Sequence, residues 1–481
     1  MELQKNEEHN FSESLFTDNS SQSSTIETLP QVPHQPPELP LGPFQQHDLF
    51  SPHVKELHIQ IWLHSLRNLV FMSVCVLAIL SVFWGSMYGR GDRVHNLNVW
   101  IINYDSNPNS FVGPMFLNYI ESLGYPKNYL GYQIIDPSSY DGDLTTVAHD
   151  TIEEKAWGFI TIAPNASSYL VENLQFPQHD FNSSNLITFW YPEARMETVY
   201  RDIVVPQINN ISTAFTFTFR QYWLDHINST LNLSQRTTIV ETNVDIIANP
   251  IDITVINLIP FTGNISSAIL TTGLIFLIIV SFFQIPFFAP VHQIMLGKVK
   301  FLQYMVYRPF INYVSVLFLS LAFSLVSLAF QGDFTVKFGR AGFVVYWMIN
   351  FLAMNALGGA SENVGTIIFN VYPQAIGFWL IFWVCSNSST SFAPLELLPE
   401  VYKVGKALPV HNAQMAIRTI LFGTKNQLGL NVGVFFGWVG VNYLISFPCM
   451  IFVKKYKTFQ AKKVAAVATA NAIETSNLEK F

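Results

Sequence analysis

The sequence predicts an α-helical multi-pass membrane protein with six transmembrane helices and an α/β extracytoplasmic domain inserted between helices 1 and 2. Apolar runs of about 20 residues, the length of helix that crosses a bilayer core of about 30 Å, recur along the chain. Only 12% of the 481 residues are charged, whereas soluble domains carry about 25%. Between the first and second runs lies a polar region of roughly 175 residues, which is long enough for an independent domain.

The chain begins with a polar segment. Residues 1–50 are rich in Ser, Gln, Glu and Pro, and they predict a disordered cytoplasmic tail because they bury too little apolar surface to offset the entropy of ordering. The juxtamembrane segment 51–67 has apolar residues near helical spacing, which fits an interfacial helix or the start of the next span. Residues 68–88 carry no charge and form the first predicted span, with Trp84 and Tyr88 as interface anchors.

Residues 89–265 form the predicted extracytoplasmic domain, in which strand patterns alternate with helical patterns. This alternation predicts an α/β sheet domain. The strand patterns lie at 97–104, 132–135, 157–162 and 186–191, and the helical patterns lie at 114–124, 144–156, 166–174 and 195–226.

Six Asn-x-Ser/Thr patterns begin within this polar domain, and their number favours a domain that faces the secretory lumen or the cell exterior. They are glycosylation candidates, and they make the protein a predicted glycoprotein. The asparagines are Asn165, Asn182, Asn210, Asn228, Asn232 and Asn264.

Residues 266–453 form a predicted five-helix membrane domain. Basic residues in the loop 290–308 and directly after residue 453 place both segments in the cytoplasm by the positive-inside rule, although Arg90 and Arg93 beside the first span run against it. Both chain termini are therefore predicted to be cytoplasmic, with 454–481 as a cytoplasmic tail. The predicted helices are 266–288, 309–330, 341–360, 366–386 and 431–453.

The segment 387–430, between the last two predicted spans, is too long for a tight turn. It is half apolar and is divided by Pro394, Pro399 and Pro409. Such a segment predicts short amphipathic helices that pack on the outer side of the bundle. We interpret the three prolines as marking an outer gate-like segment.

The sequence contains no motif that predicts catalysis. A Walker A pattern, an HExxH motif and a GxSxG motif are all missing from it. The three cysteines have no metal-ligand spacing. We therefore predict no enzymatic activity, with no catalytic, cofactor-binding or metal-binding residues and no cofactor. The net charge of −7 and the lack of a basic stripe predict no nucleic-acid binding.

The predicted spans contain no carboxylate–arginine pair of the kind that proton-driven pumps use. Glu362 is assigned to the end of the fourth span, beside a short cytoplasmic loop at Ser361–Gly365. His411 has no acid or nucleophile nearby in the sequence, which favours a structural role. Pro286 and Pro373 predict kinks.

Four segments of the sequence resemble a known family. They are NVWIINYDSNPN at 98–109, KAWGFITIAPNASSYL at 155–170, ITFWYPEARMETVYRDIVVPQIN at 187–209 and SFAPLELLPEVYKVGKALPVHNAQMAIRTILFGT at 391–424. Together with the order of spans they resemble the fungal nitrosoguanidine-resistance membrane proteins, a family related to ABC-2-type permeases and phage-infection proteins.

The resemblance implies a fungal, permease-like protein of the plasma membrane, or alternatively of the endoplasmic reticulum, that contributes to drug or mutagen resistance. One hypothesis is the export of small toxic compounds such as nitrosoguanidine, with energy supplied from outside this chain. The alternative is a non-transporting membrane organiser or regulator that acts on lipid composition or partner proteins. The expected partners are the lipid bilayer and other membrane proteins, and a small-molecule substrate is left open.

Overall fold

The structure is a computed structural model that describes residues 55–124, 126–176, 181–295 and 298–478. The predicted disordered tail, residues 1–50, lies outside the described residues. The chain divides at Asn68 into two compact units. Helix α1 spans Lys55–Met87, so the described part of the juxtamembrane segment is the beginning of a long helix.

A five-stranded sheet lies in the polar region between the first and second spans. The strands follow the order β2-β1-β3-β4-β5. β1 is parallel to β2 and to β3, β4 is antiparallel to β3, and β5 is parallel to β4. The strands are β1 Asn98–Asn103, β2 Gly131–Ile135, β3 Gly158–Ile162, β4 Ile187–Tyr191 and β5 Ile253–Asn257.

Both faces of this sheet are covered by helices. On one face, Ile101 and Ile160 pack in a core with Phe116, Phe219 and Trp223. On the other face, a smaller core forms around Trp100 and Phe159. The helices are α2 Val112–Ser122, α3 Leu144–Ile152, α4 Ala166–Gln175, α5 Glu197–Val199, α6 Val205–Thr230, α7 Leu233–Thr242 and α8 Asp245–Ala248.

The sequence patterns miss β5, the edge strand. Its sequence, ITVIN, is rich in β-branched residues, which is the signal that could have indicated a strand. The strand is decided by long-range pairing with β4, in which Ile187 lies beside Ile253 and Tyr191 beside Asn257.

The membrane domain is helical. Five helical stretches among the described residues are long and apolar enough to cross a membrane by length and composition: Leu57–Met87, Thr272–Met295, Phe301–Ala329, Thr335–Val371 and Leu428–Thr469. A multi-pass helical protein is thereby confirmed, whereas the predicted number of six spans is not. The remaining helices are α9 Asn264–Leu270, α10 Thr272–Met295, α11 Phe301–Ala329, α12 Thr335–Phe338, α13 Gly342–Val371, α14 Ile376–Ser389, α15 Pro409–Phe422 and α16 Leu428–Leu478.

The predicted helix boundaries at 341–360 and 366–386 are wrong. α13 continues without a break through Ser361–Gly365 and ends at Val371. The break falls at Tyr372, because Pro373 lacks an N–H group and disfavours helical backbone in the residue before it. The remaining helix, α14, has 14 residues, or about 21 Å of helix, which is shorter than a bilayer core of about 30 Å.

α13 lies at the centre of the membrane domain and contacts α10, α11, α14, α15 and α16. Gly359 is the point of closest approach to α16, since a Cβ atom there would lie 2.7 Å from Nδ2 of Asn442. That nitrogen donates a hydrogen bond to the Ala356 carbonyl oxygen at 2.9 Å, and Asn363 Nδ2 donates to the Asn442 carbonyl oxygen at 2.8 Å. The absent side chain at Gly359 therefore permits a two-way hydrogen-bonded contact between the helices.

We expect Gly359→Ala to destabilise the protein by about 1–3 kcal/mol, the usual cost of overpacking a core. The added methyl group forces Asn442 away from Ala356. Thermal unfolding of the purified protein in detergent measures the change. Gly440→Ala on α16 is the matched control, because a Cβ atom at Gly440 meets nothing within 4 Å. Equal melting temperatures for the two variants would contradict the packing role of Gly359.

Candidate functional site: a polar cavity among the membrane helices

A cavity of about 860 Å³ lies among α10, α11, α13 and α16. Its walls are mostly apolar, but polar side chains from all four helices reach it. The apolar lining includes Ile285, Pro286, Met305, Val316, Met354, Phe369, Val439 and Val453, and the polar lining includes Gln284, His292, Arg308, Asn312, Asn355, Glu362, Asn363, Asn442, Lys454 and Lys457.

An ion pair between Arg308 and Glu362 forms the polar centre of the cavity. Arg308 Nε donates to Glu362 Oε1 at 2.5 Å. Both side chains are largely buried, with 17% and 20% of their surface exposed. Arg308 lies roughly 10 Å from the start of α11, and Glu362 lies about 13 Å from the end of α13, at 1.5 Å per helical residue. The expectation of spans without a carboxylate–arginine pair is therefore wrong.

The sequence prediction missed this pair because hydropathy favours span boundaries without charges. The predicted span 309–330 begins directly after Arg308, and the predicted span 341–360 ends just before Glu362. Arg308 is thereby assigned to a loop, and Glu362 is assigned to the end of a span near the membrane surface. In the structure the two helices extend past these charges, and each charge is satisfied by the other.

Further polar groups extend the ion pair into a network. Arg308 Nη2 donates to Thr366 Oγ1 at 2.9 Å, and Arg308 Nη1 lies 2.9 Å from the Met450 sulfur. Asn312 Nδ2 donates to Glu362 Oε2. Asn312 Oδ1 in turn lies 3.3 Å from His292 Nε2. The network thus joins α10, α11, α13 and α16 around one carboxylate.

Basic side chains mark one end of the cavity. Lys454 and Lys457 belong to its lining and are exposed. A surface groove of about 530 Å³ adjoins this end and shares Phe301 and Lys454 with the cavity. Lys455 and Lys462 also line the groove. The positive-inside rule predicts that this end faces the cytoplasm.

The arrangement suits an amphipathic ligand. Apolar walls favour a hydrocarbon portion, and the network offers hydrogen-bond donors and charge at a fixed depth. Ionisable groups inside membrane helices are costly unless paired, and they commonly mark a functional site. No group of three or more His, Cys, Asp or Glu in the described ranges is placed to hold a metal ion.

A second convergence of polar groups, at the carboxyl ends of β1 and β3, is already filled. Open α/β sheets often bind ligands at this position. Here the Asp105 carboxylate occupies it, and accepts hydrogen bonds from the Gly113 backbone N–H at 3.2 Å and the Ser167 hydroxyl at 2.6 Å. Asp105 is fully buried. It ties the first turns of α2 and α4 to the sheet, which favours a structural role.

The six asparagines of the sequons are all exposed in the structure. Asn165 is the residue before α4 and has a left-handed backbone. Asn182 and Asn232 each cap a following helical turn with their side chains, while Asn210, Asn228 and Asn264 lie on helix surfaces. Their glycosylation stays a prediction.

The prolines of the outer gate-like segment begin helical elements. Pro394 and Pro399 each precede a short 3-10 helix, and Pro409 is the first residue of α15. α15 is buried along nearly all of its length. Burial and the nearby Arg418 charge lower the pKa of His411 to about 4, so this histidine is neutral at pH 7.

The segment before α15 also contacts the sheet domain and α1. Arg195 donates to the Ala156 carbonyl oxygen at 2.8 Å, lies 3.3 Å from Glu396 Oε1 and stacks over Trp157. Tyr402 donates to the Val82 carbonyl oxygen at 2.6 Å. The three prolines therefore lie in a connector between the sheet domain and the helices, away from the cavity lining.

Comparisons with known proteins assign a family. The family described as protein of unknown function (DUF3533) matches residues 68–444. The chain belongs to the DUF3533 family. It is 28% identical over 442 residues to an uncharacterized endoplasmic reticulum membrane protein of Saccharomyces cerevisiae, with 87% of this chain and 85% of the relative covered. No solved structure matches the chain. The resemblance to nitrosoguanidine-resistance proteins and ABC-2-type permeases stays a prediction for this DUF3533 protein.

We expect Glu362→Gln to destabilise this protein by about 3 kcal/mol, because it leaves the Arg308 charge buried without its partner. The double variant Arg308→Gln/Glu362→Gln removes both charges and should recover most of that loss. Thermal unfolding in detergent compares the two.

Glu400→Gln provides the control for this comparison, since Glu400 pairs with Lys403 at 2.6 Å but its side chain is 84% exposed. An exposed pair contributes about 0–1 kcal/mol. A double variant as unstable as Glu362→Gln would show that the ion pair does not account for the effect.

Proposed function

We propose that the protein is a non-enzymatic, non-transporting membrane protein of the endoplasmic reticulum that binds a lipid and acts on membrane lipid composition or on partner proteins. One observation carries the proposal: the cavity at α10, α11, α13 and α16 combines apolar walls with a buried Arg308–Glu362 network. The name of the yeast relative supports the endoplasmic reticulum over the plasma membrane.

The form of the cavity favours a lipid over a wholly polar solute. A polar solute would leave the apolar walls without contacts, and a pure hydrocarbon would leave the Arg308 N–H groups that Glu362, Thr366 and Met450 do not engage without a polar partner. An amphipathic molecule satisfies both. A volume of about 860 Å³ falls in the range of about 300–1,000 Å³ that is usual for ligand pockets. It accommodates a headgroup and part of an acyl chain.

Native mass spectrometry of the full-length protein in mild detergent tests lipid binding. We expect one co-purified lipid per chain. Ser446→Phe fills the cavity, which Ser446 lines, and should abolish the bound mass. Val441→Phe on the same helix is the matched control, because Val441 is 49% exposed and lies outside the lining. A wild-type protein without lipid, or equal retention in Ser446→Phe, would overturn the proposal.

The second candidate function is a permease-like role in resistance, with export of small toxic compounds such as nitrosoguanidine. The specific observation in its favour is that the same cavity, bordered by four membrane helices, is large enough for a drug-sized molecule. It requires a second conformation and an external energy source.

Accumulation of labelled nitrosoguanidine in cells that lack the protein tests export. An exporter predicts higher accumulation in the deletion strain, restored to the original level by the wild-type chain but not by Ser446→Phe. Unchanged accumulation would count against export and would leave the lipid-binding proposal as the better account of the cavity.

A further inference from the structure

We infer that the cavity is selective for an anionic phospholipid, whose phosphate is held between Arg308 and the lysines at the basic end of the cavity. This inference rests on the proposed lipid-binding function and adds the chemical class of the ligand. Three features carry it: the charge balance of the lining, the unused donors of Arg308 and the groove at the basic end.

The lining carries more positive than negative charge. Its cationic side chains are Arg308, Lys454 and Lys457, and its carboxylate is Glu362. Glu362 is engaged by Arg308, so the two lysines are the excess charge. Charges act more strongly across a weakly polar cavity than in water. The cavity that these side chains line therefore favours an anion over a zwitterion or a cation.

Arg308 has donors left for such an anion. A guanidinium group carries five N–H groups in a planar fork. The contacts of Arg308 with Glu362, Thr366 and Met450 engage three of them, and one of the three acceptors is a weakly accepting thioether. The remaining N–H groups belong to the terminal nitrogens, which match phosphate oxygens in a bidentate arrangement.

The adjoining groove explains how a lipid, rather than a soluble phosphate ester, reaches this position. The groove is lined by the aromatic rings of Phe301 and Phe459 and by Lys454, Lys455 and Lys462. The aromatic rings and the lysine stems cover an acyl chain, while the lysine ammonium groups remain at the headgroup level. Basic clusters directly beside a membrane span attract anionic lipids of the cytoplasmic leaflet.

The Glu362 carboxylate competes with a bound phosphate for the Arg308 guanidinium group. A phosphate that approaches Arg308 meets the carboxylate that already neutralises it. Binding is therefore favoured only when the lysines at the basic end compensate for the added negative charge. This arrangement predicts that the lysines decide headgroup preference, whereas the apolar walls decide binding of the chain.

Binding titrations of the full-length protein in neutral detergent test the inference with three probes: phosphatidic acid, phosphatidylcholine and inorganic phosphate. Phosphatidic acid should bind at least about tenfold more tightly than phosphatidylcholine at low salt, a difference that corresponds to about 1.4 kcal/mol. Lys454→Gln/Lys457→Gln should weaken phosphatidic acid binding roughly 30-fold, because each lysine contributes about 1 kcal/mol of attraction to an anionic lipid. Its phosphatidylcholine binding should stay unchanged.

Lys403→Gln/Lys406→Gln is the matched control. Both lysines are exposed and lie outside the cavity lining. Their substitution removes the same two positive charges as Lys454→Gln/Lys457→Gln. This variant should keep the wild-type preference. A third variant, Glu362→Gln, should bind phosphatidic acid at least as tightly as the wild type if it folds, because the competing carboxylate is gone.

The outcomes separate the two levels of the proposal. Lipid binding without a preference for phosphatidic acid, or a preference that survives in Lys454→Gln/Lys457→Gln, overturns the inference and leaves lipid binding intact. If inorganic phosphate displaces phosphatidic acid at a similar concentration, the anion that the site binds is a soluble phosphate and the inference of a phospholipid is overturned. Absence of binding by both lipids overturns the proposed function itself.

Discussion

Polar side chains inside membrane-spanning helices must find partners within the bundle, because hydrocarbon offers them none. This constraint organises the membrane domain around α13. Asn350 Nδ2 finds its partner by donating a hydrogen bond to Ser324 Oγ of α11 at 2.9 Å. Asn363 meets it through the Asn442 carbonyl oxygen of α16. Glu362 meets it through Arg308. Each contact fixes which helix lies beside which face of α13.

The same constraint accounts for the cavity. Small residues of α13 at Gly358 and Gly359 bring α10 and α16 close to it, and the Arg308–Glu362 pair, about one turn further along α13, holds α11 against the same helix. Gly358, Gly359 and Glu362 all line the cavity between these helices. A cavity that is polar at its centre and apolar on its walls follows from this packing, and it is the basis of the proposed lipid site.

The sheet domain contacts a proline-containing connector, residues 394–409, that leads into α15. Arg195 illustrates the contact: it is almost fully buried, stacks on Trp157 and reaches Glu396 in the connector. Buried arginine is costly unless paired, so this contact holds only while the sheet domain and the connector stay together. α15, which follows the connector, packs on α13.

Composition and apolar run length alone determined that this is a multi-pass helical membrane protein, since only runs of that length span a bilayer. Four of the five strands were also predictable, because each is a short run of mainly β-branched and aromatic residues beside a helical pattern. The edge strand β5 was missed although its sequence, ITVIN, has the same composition, and only the structure shows its place beside β4. Tertiary structure alone decided the candidate site: Arg308 and Glu362 are 54 residues apart, and hydropathy assigned Arg308 to a loop and Glu362 to the end of a span. Only the packing of α11 on α13 brings the two charges together, and only there does each become tolerable inside a membrane.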